Sequence, residues 1–251
     1  MRIFVYEHIT GGGMLDDPQV AALAPEGEMM LRALVNDLTA IPGVEVTILR
    51  DARLSADLPA SIHTVSTAEA FWPAFRRAAS EADAVWPIAP EQDGILARIT
   101  REVIDCDRVL LGCRPDALEI TTSKRATAEV LGRGGIPVIP VYAEEDAVPP
   151  EVNEIVAKPD DGAGCQDTRL FQDRTELRDW LQAHPDPKRI LQPYVHGRRE
   201  ACPCFVVTDA PGFWPAIGRR SRPAAAHSGS TVSVSTRFRI ATVVTPNLPR
   251  E

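Results

Sequence analysis

Lysine is scarce in this chain. Of its 27 basic residues only Lys124, Lys158 and Lys188 are lysine. Arginine is the default cation, so each lysine marks a place where a compact ammonium is wanted. Aromatic residues make up 6% of the chain, and no window of about 18 apolar residues occurs, which excludes a membrane-spanning helix. The N-terminal run Met1-Arg2-Ile3-Phe4-Val5-Tyr6-Glu7 reaches an acid too early for the core of an export signal. A cytoplasmic location without membrane association is expected. The cysteines, Cys106, Cys113, Cys165, Cys202 and Cys204, are odd in number, which argues against a disulfide framework. The net charge of -8 argues against broad phosphate neutralisation on a nucleic acid. Neither a Gly-Lys-Ser/Thr phosphate loop nor a Gly-x-Gly-x-x-Gly dinucleotide turn is present. His196, Cys202 and Cys204 lack a paired Cys-x-x-Cys and a fourth ligand, so they do not read as a zinc site.

What is present, 44% hydrophobic and 25% charged over 251 residues, suffices to bury a core in one large or two smaller domains. Arg2 to Tyr6 reads as a buried strand, followed by the permissive loop Thr10-Gly11-Gly12-Gly13. That loop is either a structural turn or a ligand-facing one. Helical spacing over 28–39, 71–82 and 94–104 alternates with strand signals at 44–49, 84–89 and 109–112. This alternation predicts a parallel sheet covered on both faces. Glu91 and Asp93 stand where a strand passes into a helix, the place where open α/β sheets take ligands; acids there also stabilise a helix N-terminus without any ligand.

From about Thr121 the texture changes. A helix is predicted over 122–132, then the tight Gly134-Gly135-Ile136-Pro137 and a strand through Val141. After an acidic, proline-bearing connection over 143–154 come the strand Ile155-Val156-Ala157-Lys158-Pro159, a turn through Asp160-Asp161-Gly162-Ala163-Gly164-Cys165, and a return strand over 168–171. A helix over 175–183 with Thr175 as N-cap precedes Ile190-Leu191-Gln192-Pro193-Tyr194-Val195, a strand whose proline predicts an edge or a hinge.

The ordered series of Lys124 on a helix, Gly135-Ile136-Pro137-Val138-Ile139-Pro140, Val156-Ala157-Lys158-Pro159 with its glycine turn, and Gln192 to Glu200 resembles the ATP-grasp superfamily. The resemblance implies an α/β fold with a Rossmann-like pre-ATP-grasp domain over 1–120, a small ATP-grasp subdomain over 121–196 and an incomplete large subdomain over 197–251. Lys124 and Lys158 would then hold the nucleotide phosphates, with Gly162 and Gly164 closing a glycine loop over them. Gln192, Tyr194 and Val195 would form the adenine hinge. Glu200 would hold the ribose, with one arginine more than the family spacing in Gly197-Arg198-Arg199-Glu200. Cys165 reads as a small turn residue. The chemistry agrees with the name: an ATP site without a phosphate loop needs point charges and free backbone amides.

The segments 3–13, 26–30 and 89–96 further resemble the pre-ATP-grasp domain of tyramine–glutamate ligase relatives from methanofuran and methylofuran biosynthesis. On that resemblance Gly11, Gly12, Gly13, Glu91 and Asp93 would contact substrate. The implied reaction joins a carboxylate and an amine at the expense of ATP and Mg2+, through an acyl phosphate, in what is often a homodimer.

The resemblance covers about residues 1 to 206. From Pro215 onward six arginines face one acid, Glu251, and Pro246-Asn247-Leu248-Pro249-Arg250 only echoes the family's metal-binding Glu-x-Asn. A truncated or frame-shifted C-terminal domain is therefore expected. Three readings stay open, an active ligase, a catalytically incomplete nucleotide-binding or partner-binding protein, and a protein of another kind. An unrelated sugar- or cofactor-binding α/β protein would require the lysines to be incidental.

Overall fold

The computed structural model describes residues 1–197 apart from Ala56, Ala163, Gly164 and Gln166. The chain divides into two compact units, Met1–Tyr194 and Val195–Glu251, and every element below lies in the first. Gly164, Glu200 and the basic tail lie outside the described residues.

Strand β1 (Arg2–Glu7) is buried along all but its first residue. It lies at the centre of a five-stranded parallel sheet in the order β3-β2-β1-β4-β5, with β2 at Glu45–Asp51, β3 at Ser61–Val65, β4 at Ala84–Ile88 and β5 at Val109–Leu110. Side chains alternate across a strand, so β1 feeds two cores. Ile3 and Val5, with Val46 and Ile48 of β2, pack against Leu31, Val35 and Leu38 of α1 (Val20–Thr39). Phe4 and Tyr6 face the other way, onto Phe71 and Phe75 of α2 (Ala68–Glu81) and Ile99 and Val103 of α3 (Ile95–Asp105). The predicted parallel sheet, covered on both faces, is what forms.

The aromatic residues, few in the whole chain, converge on this second face. Phe75 lies 5.4 Å from Phe4 and 5.1 Å from Tyr6, ring centre to ring centre, both edge to face. Such contacts add to the area they bury.

The helix expected from residue 28 begins at Val20. Pro25 sits inside α1, near enough to the N-terminus for the loss of one backbone bond to be tolerated. Strand β3 carries no clear apolar run because it is the polar sheet edge, exposed at three of its five residues. Helix α4 (Pro115–Thr122) was also unmarked in the sequence.

The second layer is a three-stranded antiparallel sheet in the order β7-β6-β8, with β6 at Ile155–Pro159, β7 at Arg169–Phe171 and β8 at Arg189–Pro193. The return strand is as predicted, and among the described residues the proline-bearing strand takes the edge, one of the two places its proline suggested. Ile155, Ala157, Phe171 and Leu191 pack under Leu177 of α6 (Arg174–Ala183). The N-cap of α6 is Asp173 rather than Thr175, because the Asp173 carboxylate accepts the Thr175 and Glu176 amides. The strand expected through Val141 is not formed. Only Tyr142 bridges to Leu191, since Pro137 and Pro140 cannot donate to a ladder.

Phe75→Ala should lower the free energy of unfolding by about 3–5 kcal/mol, the usual range for an emptied aromatic core position. Urea denaturation checks it, and a loss below about 1 kcal/mol would show that the second core does not depend on this ring.

Candidate functional site

Two groups of sequence-selected residues come together. The first is built on β6. The strand presents Lys158 and ends in Asp160-Asp161-Gly162, opposite the start of helix α5 (Lys124–Arg133). Asp160 fixes the two elements to each other. Its Oδ2 accepts the Ser123 hydroxyl at 2.6 Å and its Oδ1 the Arg125 amide at 2.9 Å. Ser123 in turn caps α5 by accepting the Ala126 amide. A carboxylate at a helix N-terminus satisfies amides that have no partner within the helix.

Lys124 reaches across the same junction. Its Nζ donates to the carbonyls of Asp160 and Gly162, both at 3.0 Å. Gly162 adopts φ 97, a left-handed conformation that favours glycine. Burial lowers the pKa of Lys158, and the charge of Lys124 lowers it further, while Cys165 pulls weakly the other way. Among the described residues no carboxylate forms an ion pair with Lys124 or Lys158.

On β8, beside β6, Gln192 donates to the Ile139 carbonyl at 3.4 Å, and the Tyr194 amide donates to Glu154 at 2.9 Å. Tyr194 is 40% and Val195 59% exposed. No group of three or more His, Cys, Asp or Glu side chains suited to a metal occurs among the described residues. The acids nearest the lysines, Asp160 and Asp161, are already engaged by hydrogen bonds.

The second group lies at the carboxyl edge of the parallel sheet. Chain order reverses between β1 and β4, which makes a crevice of the kind where such sheets take ligands. The His8 amide donates to Ile88 at 2.8 Å, continuing the β1–β4 pairing one residue beyond β1. Glu91 and Asp93 follow β4 and are exposed. The Asp93 amide donates to Asp161 at 3.1 Å, so this edge touches the turn after β6.

The three glycines after β1 form a π-helical turn over Ile9–Gly13, and Gly11 and Gly12 are buried. A Cβ on Gly13 would lie 2.2 Å from His8 Nδ1 and 2.6 Å from the Tyr6 hydroxyl. One on Gly11 would lie 2.9 Å from the Tyr6 ring. Gly12 has φ 88. These glycines let the turn close against Tyr6 and His8, a close approach the sequence did not disclose. Glu7, also buried, accepts the Ile9 and Thr10 amides and the Thr10 hydroxyl, with the closest contacts at 2.7 Å.

Tyr6 and His8 share a buried hydrogen bond of 2.9 Å. Burial raises the Tyr6 pKa well above the tyrosine range, and the charge of Glu7 adds to this. Burial lowers that of His8 to about 4. Neither residue was selected as a site from sequence. Their signal, a Tyr-x-His ending a buried strand before three glycines, was legible only as part of the strand.

Two predictions follow from this edge of the sheet. Gly13→Ala should destabilise the fold by a few kcal/mol, whereas Gly112→Ala, whose Cβ would meet nothing nearer than 3.9 Å, should be close to neutral; thermal unfolding of both variants tests the contrast. His8 binds its proton more weakly in the folded state than in the unfolded state, whose pKa is about 6.5. Unfolded chains thus take up protons first, and stability should fall by up to about 3 kcal/mol between pH 6.5 and pH 4, with no further His8 contribution below. Urea titrations of wild type and His8→Gln across that window check it, and an unchanged slope in the variant would overturn it.

A pre-ATP-grasp 3 domain profile matches residues 44–118 and an ATP-grasp domain profile matches residues 121–209. No curated protein matches the chain. Among solved structures, an ATP-grasp superfamily protein from Archaeoglobus fulgidus is similar at 19% identity and TM-score 0.53, over 78% of this chain and 54% of that one. D-alanine–D-alanine ligase from Bacillus anthracis is similar at 15% identity and TM-score 0.52, over 78% of this chain and 58% of the ligase. The chain thus spans little more than half the length of either, and at these identities the likeness is one of fold. The chain thus carries a pre-ATP-grasp domain over residues 44–118 followed by an ATP-grasp domain over residues 121–209, with the mixed α/β ATP-grasp fold that goes with them.

Proposed function

We propose that the chain is the nucleotide-binding part of an ATP-dependent carboxylate–amine ligase. The observation that carries this reading is the pairing of Lys124 and Lys158 beside the turn after β6, two ammoniums with no carboxylate paired to them among the described residues. A triphosphate supplies the anion such a cradle lacks. Lys158 would meet the phosphates directly. Lys124 holds the turn at the carbonyls of Asp160 and Gly162, keeping the Gly162 segment beside the phosphate position. Gln192 and Tyr194 would line the base.

In the reaction a substrate carboxylate oxygen attacks the γ-phosphorus of ATP, the bond to the β-phosphate oxygen breaks, and ADP leaves. The amine then attacks the acyl phosphate carbonyl, releasing inorganic phosphate and a proton as the amide forms. The lysines act by placing positive charge where the transferring phosphoryl group carries negative charge. Magnesium accompanies ATP in such chemistry, but the described residues do not offer it a ligand set, because Asp160 and Asp161 are engaged elsewhere. That observation favours a second reading, a nucleotide-binding protein without turnover. Within the ligase reading, the resemblance of the N-terminal segments makes glutamate and tyramine the first substrate pair to try, with Gly11 to Gly13, Glu91 and Asp93 toward the substrate side. No helix of the described residues is long and apolar enough to cross a membrane. A cytoplasmic homodimer goes with the reading.

Lys158→Ala should weaken binding of a non-hydrolysable ATP analogue at least about tenfold in calorimetric titration. Equal affinity in the variant would refute the phosphate cradle. Release of ADP that depends on both an added acid and an added amine separates the ligase from the non-catalytic reading.

A further inference from the structure

The crevice between β1 and β4 holds a side chain with an assigned role on one edge and none on the other. Tyr6 is fully buried, and the one acceptor its hydroxyl meets among the described residues is His8 Nδ1. A buried hydroxyl donates where an acceptor is in reach, so the phenol gives its proton to Nδ1 and the imidazole carries its own on Nε2. The glycine turn then closes over the Nδ1 side, since Gly13 lies so near that ring edge that no Cβ fits. Nε2–H has no hydrogen-bond partner among the described residues. The local fold thus fixes the tautomer, seals one edge of the ring and leaves a single neutral donor, at a residue 8% exposed beside the end of β4.

We propose that His8 binds the acid substrate, its Nε2–H donating a hydrogen bond to a carboxylate oxygen in the crevice between the carboxyl ends of β1 and β4. This rests on the ligase reading for there being such a substrate. The donor-only edge calls for an acceptor, which the carboxylate of an acid substrate supplies. An ammonium group offers no acceptor and cannot use it. A phosphate calls for cations, but the neighbouring arginines are already engaged. Arg50 pairs with Glu28 at 2.6 Å and donates to the Ser55 carbonyl, and Arg53 pairs with Asp51. The Glu7 carboxylate is turned inward onto Thr10 and does not compete for the donor. The exposed acids Glu91 and Asp93, on the loop after β4, suit an amine on the same substrate or on its partner. The low pKa of His8 keeps the ring neutral throughout the physiological range, so the donor does not change with pH.

The test uses the full chain labelled with 15N and nuclear magnetic resonance of the histidine rings, His8 being assigned by its loss in His8→Asn. The expected free state has the proton on Nε2 and a bare Nδ1. Sodium acetate should shift the Nε2 signal saturably, while methylammonium chloride at the same ionic strength should not. His8→Asn keeps an acceptor for Tyr6 but has no donor where Nε2 stood. Followed at the Gly13 amide, it should weaken acetate binding at least about tenfold. His8→Gln, whose longer amide restores the donor, should recover affinity to within about threefold. A proton on Nδ1, an acetate response no different from that to chloride, or full acetate affinity in His8→Asn would each overturn the proposal. If His8→Asn does not fold, the tautomer and the acetate response of the wild type decide it, with assignment from His8→Gln. Lys158-dependent nucleotide binding without an acetate response would defeat the His8 site and leave the ligase reading standing. An acetate response without nucleotide binding would do the reverse.

Discussion

The hydrogen bonds of Asp160 set the geometry on which the lysine cradle depends. One carboxylate takes the Ser123 hydroxyl and the Arg125 amide, the backbone carbonyl of the same residue takes the Lys124 amide and ammonium, and its amide reaches Lys188. One residue therefore fixes the start of α5 to the end of β6 and to the approach to β8. Without it the two lysines would belong to elements free to separate, since α5 buries no residue of its own against a core. Electrostatics at a helix N-terminus takes the place that apolar packing holds elsewhere in the molecule.

The central sheet works by the opposite means. Strand β1 contributes alternating side chains to two separate cores, and its own burial leaves no solvent-facing residue from Ile3 to Glu7. The buried polar side chains of the sheet, among the described residues, gather at its carboxyl edge, where Glu7, His8, Thr10, Arg50 and Asp51 lie. Each needs a partner there, and most find one within a few residues along the chain.

Much of this was legible in the sequence because periodicity reports burial. The parallel sheet, its covering helices and the β6–β7 hairpin were all readable from apolar spacing and glycine turns. Strand β3 escaped because an edge strand needs few apolar residues, and the start of α1 was hidden by Pro25. The lysines stood out through their rarity and their place in an ordered series. Asp160 did not, because an aspartate in a turn has the same appearance whether it caps its own loop or a helix far away in sequence. The glycines after β1 were visible as a permissive loop, but the reason for them, the ring edges of Tyr6 and His8, is a contact across the turn that composition cannot show.

The scarcity of lysine has a practical consequence. Two of the three primary amines on side chains in the whole sequence stand at the proposed nucleotide cradle, and the third, Lys188, is exposed outside it. An amine-reactive reagent applied to this chain is therefore nearly a site-directed one, with Lys188 as its built-in reference. The lowered pKa of Lys158 raises its share of the unprotonated, nucleophilic form, while the ammonium of Lys124 is held by two carbonyls. Acylation mapped by mass spectrometry would thus read the state of the cradle residue by residue, without a bound ligand and without any activity to follow.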